Sequence, residues 1–175
     1  MSLKKKKAKE IVVDASIARA ASTDGNHPVG AGCRNFLIVV DSTGHDVAMN
    51  NELYAEWRKH RSRFAYTWLG KMVSQKRLAH YPDEADEAFL QRILDACSIS
   101  KMRAAVEKDL HLVTLAFVSH QRIASLDEVV RGHLCTCADV VTELDKLIWV
   151  NPATEDDLPE WLAAGAPAKG RYLRP

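Results

Sequence analysis

Short apolar segments alternate with longer helical segments along this chain of 175 residues, and this alternation limits the folds open to it. Apolar runs bounded by turn residues predict strands at residues 10–14, 46–49, 122–126 and 147–150. Segments with the helical spacing of apolar residues separate each strand from the next. Strands connected through helices lie parallel in one sheet. The sequence therefore predicts an α/β domain with a central parallel sheet.

Capping residues and apolar periodicity predict the helices between these strands. Asn50 and Asn51 are good N-caps for a long amphipathic helix from Glu52 to about residue 78, with a break near Ser62. A further helix leads to Asp109, which we place at the start of an apolar helix that ends near residue 119. The remaining predicted helices cover residues 15–21, 28–41, 83–96 and 127–132.

Length and composition are those of one globular domain. The hydrophobic fraction is 47%, the charged fraction is 27% and the formal net charge is +1, a balance that identifies no partner. The longest apolar runs are too short to cross a bilayer, and there is no signal peptide, so we expect a cytoplasmic protein with no membrane partner. We divide the chain into a basic N-terminal tail (1–9), a domain (10–152) and a C-terminal extension (153–175). The part after Gly165 is expected to pack loosely or to be disordered.

Basic residues and cysteines give weaker signals. Basic residues gather at positions 4–7 and 58–63, and either cluster could contact phosphates, although a lysine run is more often a solvated tail. The four cysteines lack the spacing of a structural zinc site, so we expect reduced, buried thiols. They are Cys33, Cys97, Cys135 and Cys137.

Four acidic residues recur near the ends of predicted strands. Asp14 ends the first strand and Asp127 follows the third, and ligands of open parallel sheets bind beyond the carboxyl ends of the strands. Glu56 lies in the helix after the second strand, one turn after Glu52, and Asp109 precedes the helix that feeds the third strand. Crowded carboxylates repel one another, and a bound cation relieves the repulsion. Because Mg²⁺ and Mn²⁺ prefer oxygen ligands and activate water, the set of four acids predicts a site for one of these ions.

Each candidate residue also has a simpler interpretation. An Asp after a strand is commonly the N-cap of the next helix, and a glutamate on a helix is usually solvated. Ser16 could orient Asp14 or a water molecule, or it could cap a helix. His111 could contact a substrate or lie in the second layer of a site. The compatible order of the four acids is what favours a functional site over these separate roles.

Several enzyme classes lose support because their motifs are absent. The chain has no Gly-x-Gly-x-x-Gly pattern, no P-loop and no Gly-x-Ser-x-Gly elbow, which argues against dinucleotide enzymes, NTPases and serine hydrolases. A third possibility, an α/β phosphohydrolase acting on small phosphate esters, is weaker because that class needs an Asp-x-Asp arrangement and Ser16 occupies the second place. Aromatic residues of the region after the second strand could stack on unpaired bases, although core positions are more common on an amphipathic helix. They are Tyr54, Trp57, Tyr66 and Trp68.

The order of these motifs resembles that of the PIN domain, the nuclease fold of toxin ribonucleases in bacterial toxin–antitoxin pairs, which is related to flap endonucleases. Residues 12–16 match its first motif, an apolar strand, an Asp, a small residue and a Ser or Thr. Glu56 followed by an aromatic residue fits the second motif better than Glu52 does. Residues 109–116 resemble the third, and Ser125 and Asp127 resemble the family's Ser/Thr-x-Asp.

The resemblance covers residues 10–152 and implies a three-layer α/β/α fold, with helices on both faces of a parallel sheet. It implies a metal-dependent endoribonuclease in which the four acids hold one or two Mg²⁺ or Mn²⁺ ions, and an RNA substrate. An antitoxin protein and a second copy of the chain are further partners that it leaves open. Four residues would then lie in the second layer or contact substrate, namely Ser16, Ser125, His111 and Glu52.

The chain departs from the family pattern in two places. The helical region between Glu56 and Asp109 is long, and Leu126 occupies a position where the family often has a basic or polar residue. These departures leave an alternative, a catalytically silent PIN-like module that binds RNA or a protein.

Overall fold

A five-stranded parallel sheet forms the centre of the computed structural model, which describes residues 8–22 and 27–173. The strand order is β3-β2-β1-β4-β5, and every neighbouring pair is parallel. Helices cover both faces, so the predicted three-layer α/β/α fold is confirmed. The strands are β1 (Glu10–Val13), β2 (Asp46–Met49), β3 (Leu78–His80), β4 (Arg122–Ala124) and β5 (Ile148–Val150).

Four of the helices in the described residues begin where a polar side chain satisfies a free backbone N–H group. Asn50, Ser62, Asp86 and Asp127 each accept a hydrogen bond from the backbone N–H three residues later. The helices in the described residues are α1 (Ala15–Ala20), α2 (Pro28–Ser42), α3 (Asn51–His60), α4 (Arg63–Ser74), α5 (Glu87–Ala96), α6 (Ser100–Val118), α7 (Glu128–Cys137) and α8 (Leu158–Ala163). A 3₁₀ helix covers Thr142–Lys146.

The central strand β1 is where the direction of strand addition reverses. Ile11 pairs with Val47 of β2, and Val12 pairs with Ile123 of β4 on the other side. The three residues Ile11, Val12 and Val13 are fully buried. The residue that follows β1 therefore emerges at the switch point of the sheet, where α/β proteins bind their ligands.

The segment after β2 breaks near Ser62 as predicted, but it ends in a strand that was not predicted. It forms two helices, α3 and α4, and a short strand, β3, that the sequence analysis missed. Ser62 ends the first helix by capping the second, and its hydroxyl also donates a hydrogen bond to the Ala21 carbonyl. The β3 strand is only partly buried and pairs with β2 alone, so it lacks an apolar run that would reveal it.

Two other predictions about chain segments were wrong. Asp109 lies well inside the continuous helix α6 rather than at the start of a helix, because residues 100–118 contain no Gly or Pro to interrupt it. The end of the chain does not pack loosely within the described residues, since Ala166 and Leu173 are buried. Tyr172 forms a bridge with Ile148 of the edge strand β5.

The core contains only part of the aromatic and thiol groups that were expected there. Trp57 and Trp68 are buried and stack with their ring centroids 6.0 Å apart, while Tyr54 and Tyr66 are exposed. All four cysteines are free thiols and all are at least partly buried. No helix among the described residues is both long enough and apolar enough to cross a membrane. The lysine run at residues 4–7 lies outside the described residues.

Candidate functional site

A cleft of about 240 Å³ opens beyond the carboxyl ends of β1 and β4. Asp14, Glu56, Asp109 and Asp127 all line it. They come from four separate segments, namely the end of β1, helix α3, helix α6 and the N-cap of α7. The structure thus brings together the four acids that the sequence analysis singled out.

Asp14 is held in place by two hydroxyl groups. Ser16 Oγ donates to Asp14 Oδ2 at 2.5 Å, and Ser125 Oγ donates to the same oxygen at 2.8 Å. The backbone N–H of Asp14 donates to the Ala124 carbonyl at 2.9 Å, which continues the pairing of β1 with β4. The Asp14 side chain accepts no capping hydrogen bond from α1. Its carboxylate is therefore directed by the two serines and not by a capping role.

Asp127 does cap its helix, but with one oxygen only. Its Oδ1 accepts the Val130 N–H at 2.9 Å, as the simpler interpretation of this residue required. The backbone N–H of Asp127 donates to Ser125 Oγ at 3.1 Å, so the serine that holds Asp14 also fixes the turn before α7. Asp127 thus lines the cleft while it caps α7.

Glu56 lies at the cleft because the next residue, Trp57, fixes helix α3 against the end of β1. The Trp57 indole N–H donates to the Val13 carbonyl at 2.8 Å, which ties α3 to the end of β1. Glu56 lines the cleft and its side chain is 36% exposed, whereas Glu52 lies outside the cleft and is 60% exposed. This placement agrees with the choice of Glu56 over Glu52 from the sequence.

Asp109 is the most strongly perturbed of the four acids. Asp109 is only 9% exposed. Burial is the main cause that raises the pKa of the carboxyl to about 6, and the neighbouring charges of Asp14 and Asp127 raise it further, against a lowering by Lys108 and His111. Asp109 therefore lies close enough to Asp14 and Asp127 for their charges to repel its own.

His111 is buried behind the glutamates. Its Nε2 lies 3.2 Å from Glu56 Oε2 without the geometry of a hydrogen bond, and its Nδ1 lies 3.2 Å from the Lys108 carbonyl. The same Nδ1 is 3.9 Å from Glu52 Oε1. His111 therefore contacts the acids of α3 and does not line the cleft, which fits a second layer better than contact with a substrate.

Three basic side chains also line the cleft, and only one of them belongs to a basic cluster that was predicted to be able to contact phosphates, at residues 58–63. They are Arg19 of α1, His60 at the end of α3 and Lys108, which precedes Asp109. None of the three forms an ion pair with a residue in the described part of the chain. Arg19 follows Ala15 by one helical turn, so both residues lie on the face of α1 that lines the cleft. Basic groups beside a group of acids are suited to an anionic ligand that binds together with a metal cation.

The carboxylates share a cleft without being packed around a single point. Across residues 8–22 and 27–173, no group of three or more His, Cys, Asp or Glu side chains is arranged so that it could hold a metal ion as it stands. The donor set nevertheless suits Mg²⁺ or Mn²⁺, because it consists of carboxylate oxygens. Burial, together with repulsion by Asp14 and Asp127, raises the Asp109 pKa. A divalent cation would relieve this repulsion.

No model of a known protein family matches the sequence, and no curated protein matches it either. A proposal of function therefore depends on the chemistry of the cleft.

Proposed function

We propose that this protein is a metal-dependent endoribonuclease of the PIN type that hydrolyses RNA phosphodiester bonds in the cytoplasm. The single observation that carries the proposal is the meeting of four acids from four segments of the chain at the switch point of a parallel sheet. Asp14, Glu56, Asp109 and Asp127 are the residues that would hold Mg²⁺ or Mn²⁺. Such an ion, when bound, activates water and neutralises charge on the phosphate.

The residues around the acids support this chemistry by fixing their positions. Ser16 and Ser125 both donate to one oxygen of Asp14, which leaves its other oxygen to face a ligand. Asp127 is fixed in the same way, because one of its oxygens is occupied by the Val130 N–H. His111 lies against Glu56. Carboxylates held by such contacts need little reorganisation when a cation and a phosphate arrive.

The basic side chains of the cleft support a phosphodiester as the substrate. Arg19, His60 and Lys108 line the same cleft as the acids, where they can bind and orient the phosphates on either side of the bond that is cleaved. A small phosphate ester is disfavoured because Ser16 occupies the place of a second Asp and is engaged with Asp14. The PIN resemblance extends the proposal to a toxin ribonuclease with an antitoxin partner and a homodimeric state.

The second candidate is a catalytically silent PIN-like module that binds RNA or a protein. It is favoured by the observation that the acids of the described residues are not assembled as a metal centre. The two candidates differ in whether metal-dependent turnover occurs.

Cleavage of single-stranded RNA by the purified protein tests the proposal. We expect cleavage with Mn²⁺ and none with a chelator, and we expect Asp14→Asn and Asp127→Asn to abolish it. Both variants should fold normally, because an Asn has the volume of an Asp and can still accept the hydrogen bonds from Ser16, Ser125 and Val130. Asp156→Asn, at an exposed position, is the matched control for the loss of one carboxylate. Unchanged turnover in the Asp14 and Asp127 variants would refute the catalytic assignment.

A further inference from the structure

A second surface lies on the outer side of α3 and α4 and exposes apolar and aromatic groups. Tyr66 is 60% exposed, Tyr54 is 39% exposed and Val73 is also exposed. Together with Arg61 they border a groove of about 460 Å³, and we call these four residues the tyrosine platform. Large apolar side chains that are exposed side by side often mark a binding site, whereas exposed apolar residues scattered singly over a surface do not.

The platform combines a ring with a guanidinium group. The Arg61 Cζ atom lies 4.5 Å from the centroid of the Tyr66 ring, which is the geometry of a cation–π contact. This contact holds the Tyr66 ring in one orientation while leaving it largely open to solvent. Unpaired nucleic-acid bases stack on tyrosine rings and on guanidinium planes of this kind.

The charges around the platform select a polyanion over an apolar protein segment. Arg58, Lys59 and Arg63, which neighbour Arg61 in the sequence, are exposed, and none of them forms an ion pair with a described residue. A protein helix seated on this groove would place apolar surface against these cations, and the cations would lose part of their hydration. A strand of nucleic acid would pair the cations with its phosphates while its bases cover the apolar groups.

Helix α3 joins the platform to the acidic cleft. Its buried residues Leu53 and Trp57 face the core. By helical spacing, Glu56 and His60 lie on one side of this buried stripe, and Tyr54 and Arg61 lie on the other side. His60 lines the cleft and the next residue, Arg61, borders the platform. A strand of nucleic acid therefore needs to cross only one helix, about 10 Å wide, to reach from the tyrosine platform to the acidic cleft.

We propose that the tyrosine platform binds unpaired bases of a single-stranded RNA whose backbone crosses α3 and enters the acidic cleft. The proposal deepens the ribonuclease proposal and rests on it for what happens in the cleft, but binding at the platform requires neither metal nor cleavage. The strand's phosphates contact Arg58 and Lys59 on the exposed side of α3. At least one base stacks on Tyr66.

Binding without metal tests the platform separately from cleavage. The affinity of the protein for a fluorescent oligouridylate is measured by anisotropy in the presence of a chelator. An abasic oligomer with the same number of phosphates serves as the second probe. We expect the native protein to prefer the base-bearing oligomer. Tyr66→Ala should weaken its binding at least about fivefold, the loss expected for one base–aromatic stack, and leave the abasic oligomer unaffected.

Two control variants separate stacking from other effects. Tyr66→Phe keeps the ring and should bind both oligomers like the native protein. Tyr172→Ala removes an exposed tyrosine that borders a different groove and should also change neither affinity. Arg58→Gln and Lys59→Gln should each lower the slope of log affinity against log salt by roughly 0.7 for both oligomers, because each removes one phosphate contact.

Each contrary outcome overturns a defined part of the proposal. Equal binding of the base-bearing oligomer by the native protein and Tyr66→Ala overturns it, and so does a native protein that binds neither oligomer. If Tyr66→Ala changes only the oligomeric state seen in sedimentation, the groove is a protein contact and the proposal fails. A native protein that prefers the base-bearing oligomer but never cleaves RNA leaves the platform intact and refutes only the ribonuclease.

Discussion

Replacing Asp109 by Asn should stabilise the protein at neutral pH. Burial, with the charge of Asp14, raises the pKa of this carboxyl from 3.8 to about 6 in the folded protein. In the unfolded chain the pKa returns to its ordinary value, so between these two values the native state binds more protons. The free energy of unfolding therefore falls as pH rises from about 4 to about 6 and changes no further above that range. About two pH units at 1.36 kcal/mol each correspond to about 3 kcal/mol.

Urea unfolding measured between about pH 4 and about pH 7.5 gives this quantity directly. Asn has the shape of a protonated Asp, so the native protein and Asp109→Asn should have similar stability at the acidic end. At the neutral end Asp109→Asn should be more stable by about 3 kcal/mol, because the native protein alone holds the buried charge. Asp156→Asn, at an exposed position, controls for the change in net charge.

The test depends on how the difference in unfolding free energy between the native protein and Asp109→Asn changes with pH. A stability difference between the native protein and Asp109→Asn that stays the same from the acidic to the neutral end would refute the reasoning. It would mean that the substitution acts through packing rather than through the Asp109 charge. Mn²⁺ should narrow the difference at neutral pH, since a cation in the cleft stabilises the ionised carboxylate that only the native protein carries.

Three further predictions concern the cleft and its support. Glu56→Gln should reduce RNA cleavage more than Glu52→Gln, because only Glu56 lines the cleft, and the reverse order in parallel assays would exchange their roles. Millimolar Mn²⁺ should raise the melting temperature of the native protein and raise that of Asp14→Asn less, although without metal Asp14→Asn should be slightly the more stable of the two. Equal rises would mean that the acids form no metal site. Trp57→Phe removes the hydrogen bond to the Val13 carbonyl and should lower the free energy of unfolding by about 1–3 kcal/mol. Unchanged stability in urea would contradict an anchoring role for that bond.

The buried strands of the sheet could be predicted from the sequence because their own side chains specify them. The predicted bounds of β2 are those of the structure, and the predicted bounds of β1, β4 and β5 differ from the observed ones by at most two residues. A strand covered on both faces must be a continuous apolar run wherever its neighbours come from. The strand-end position of Asp14 and the N-cap position of Asp127 followed from the same local patterns. Alternation of these runs with helices was then enough to predict the fold class.

Residues whose state depends on distant partners could not be predicted in this way. Strand β3 is only partly buried, and its strand conformation comes from pairing with β2. The apolar run that begins at Leu110 predicts a helix boundary at Asp109, whereas α6 continues through that position and packs along β1 and β4. The C-terminal segment is ordered by its contacts with β4 and β5, which no local composition reveals.

The acidic cleft depends on both levels. Its four acids could be recognised as candidates from the chain alone, since each stands in a recognisable local setting. The folded protein was needed to show that Ser125 donates to Asp14 from across the β1–β4 pair and that Arg19 and Lys108 join the acids. Strand order and helix placement set the distances between segments remote in the chain, and these distances arise from packing of the whole core rather than from any local pattern.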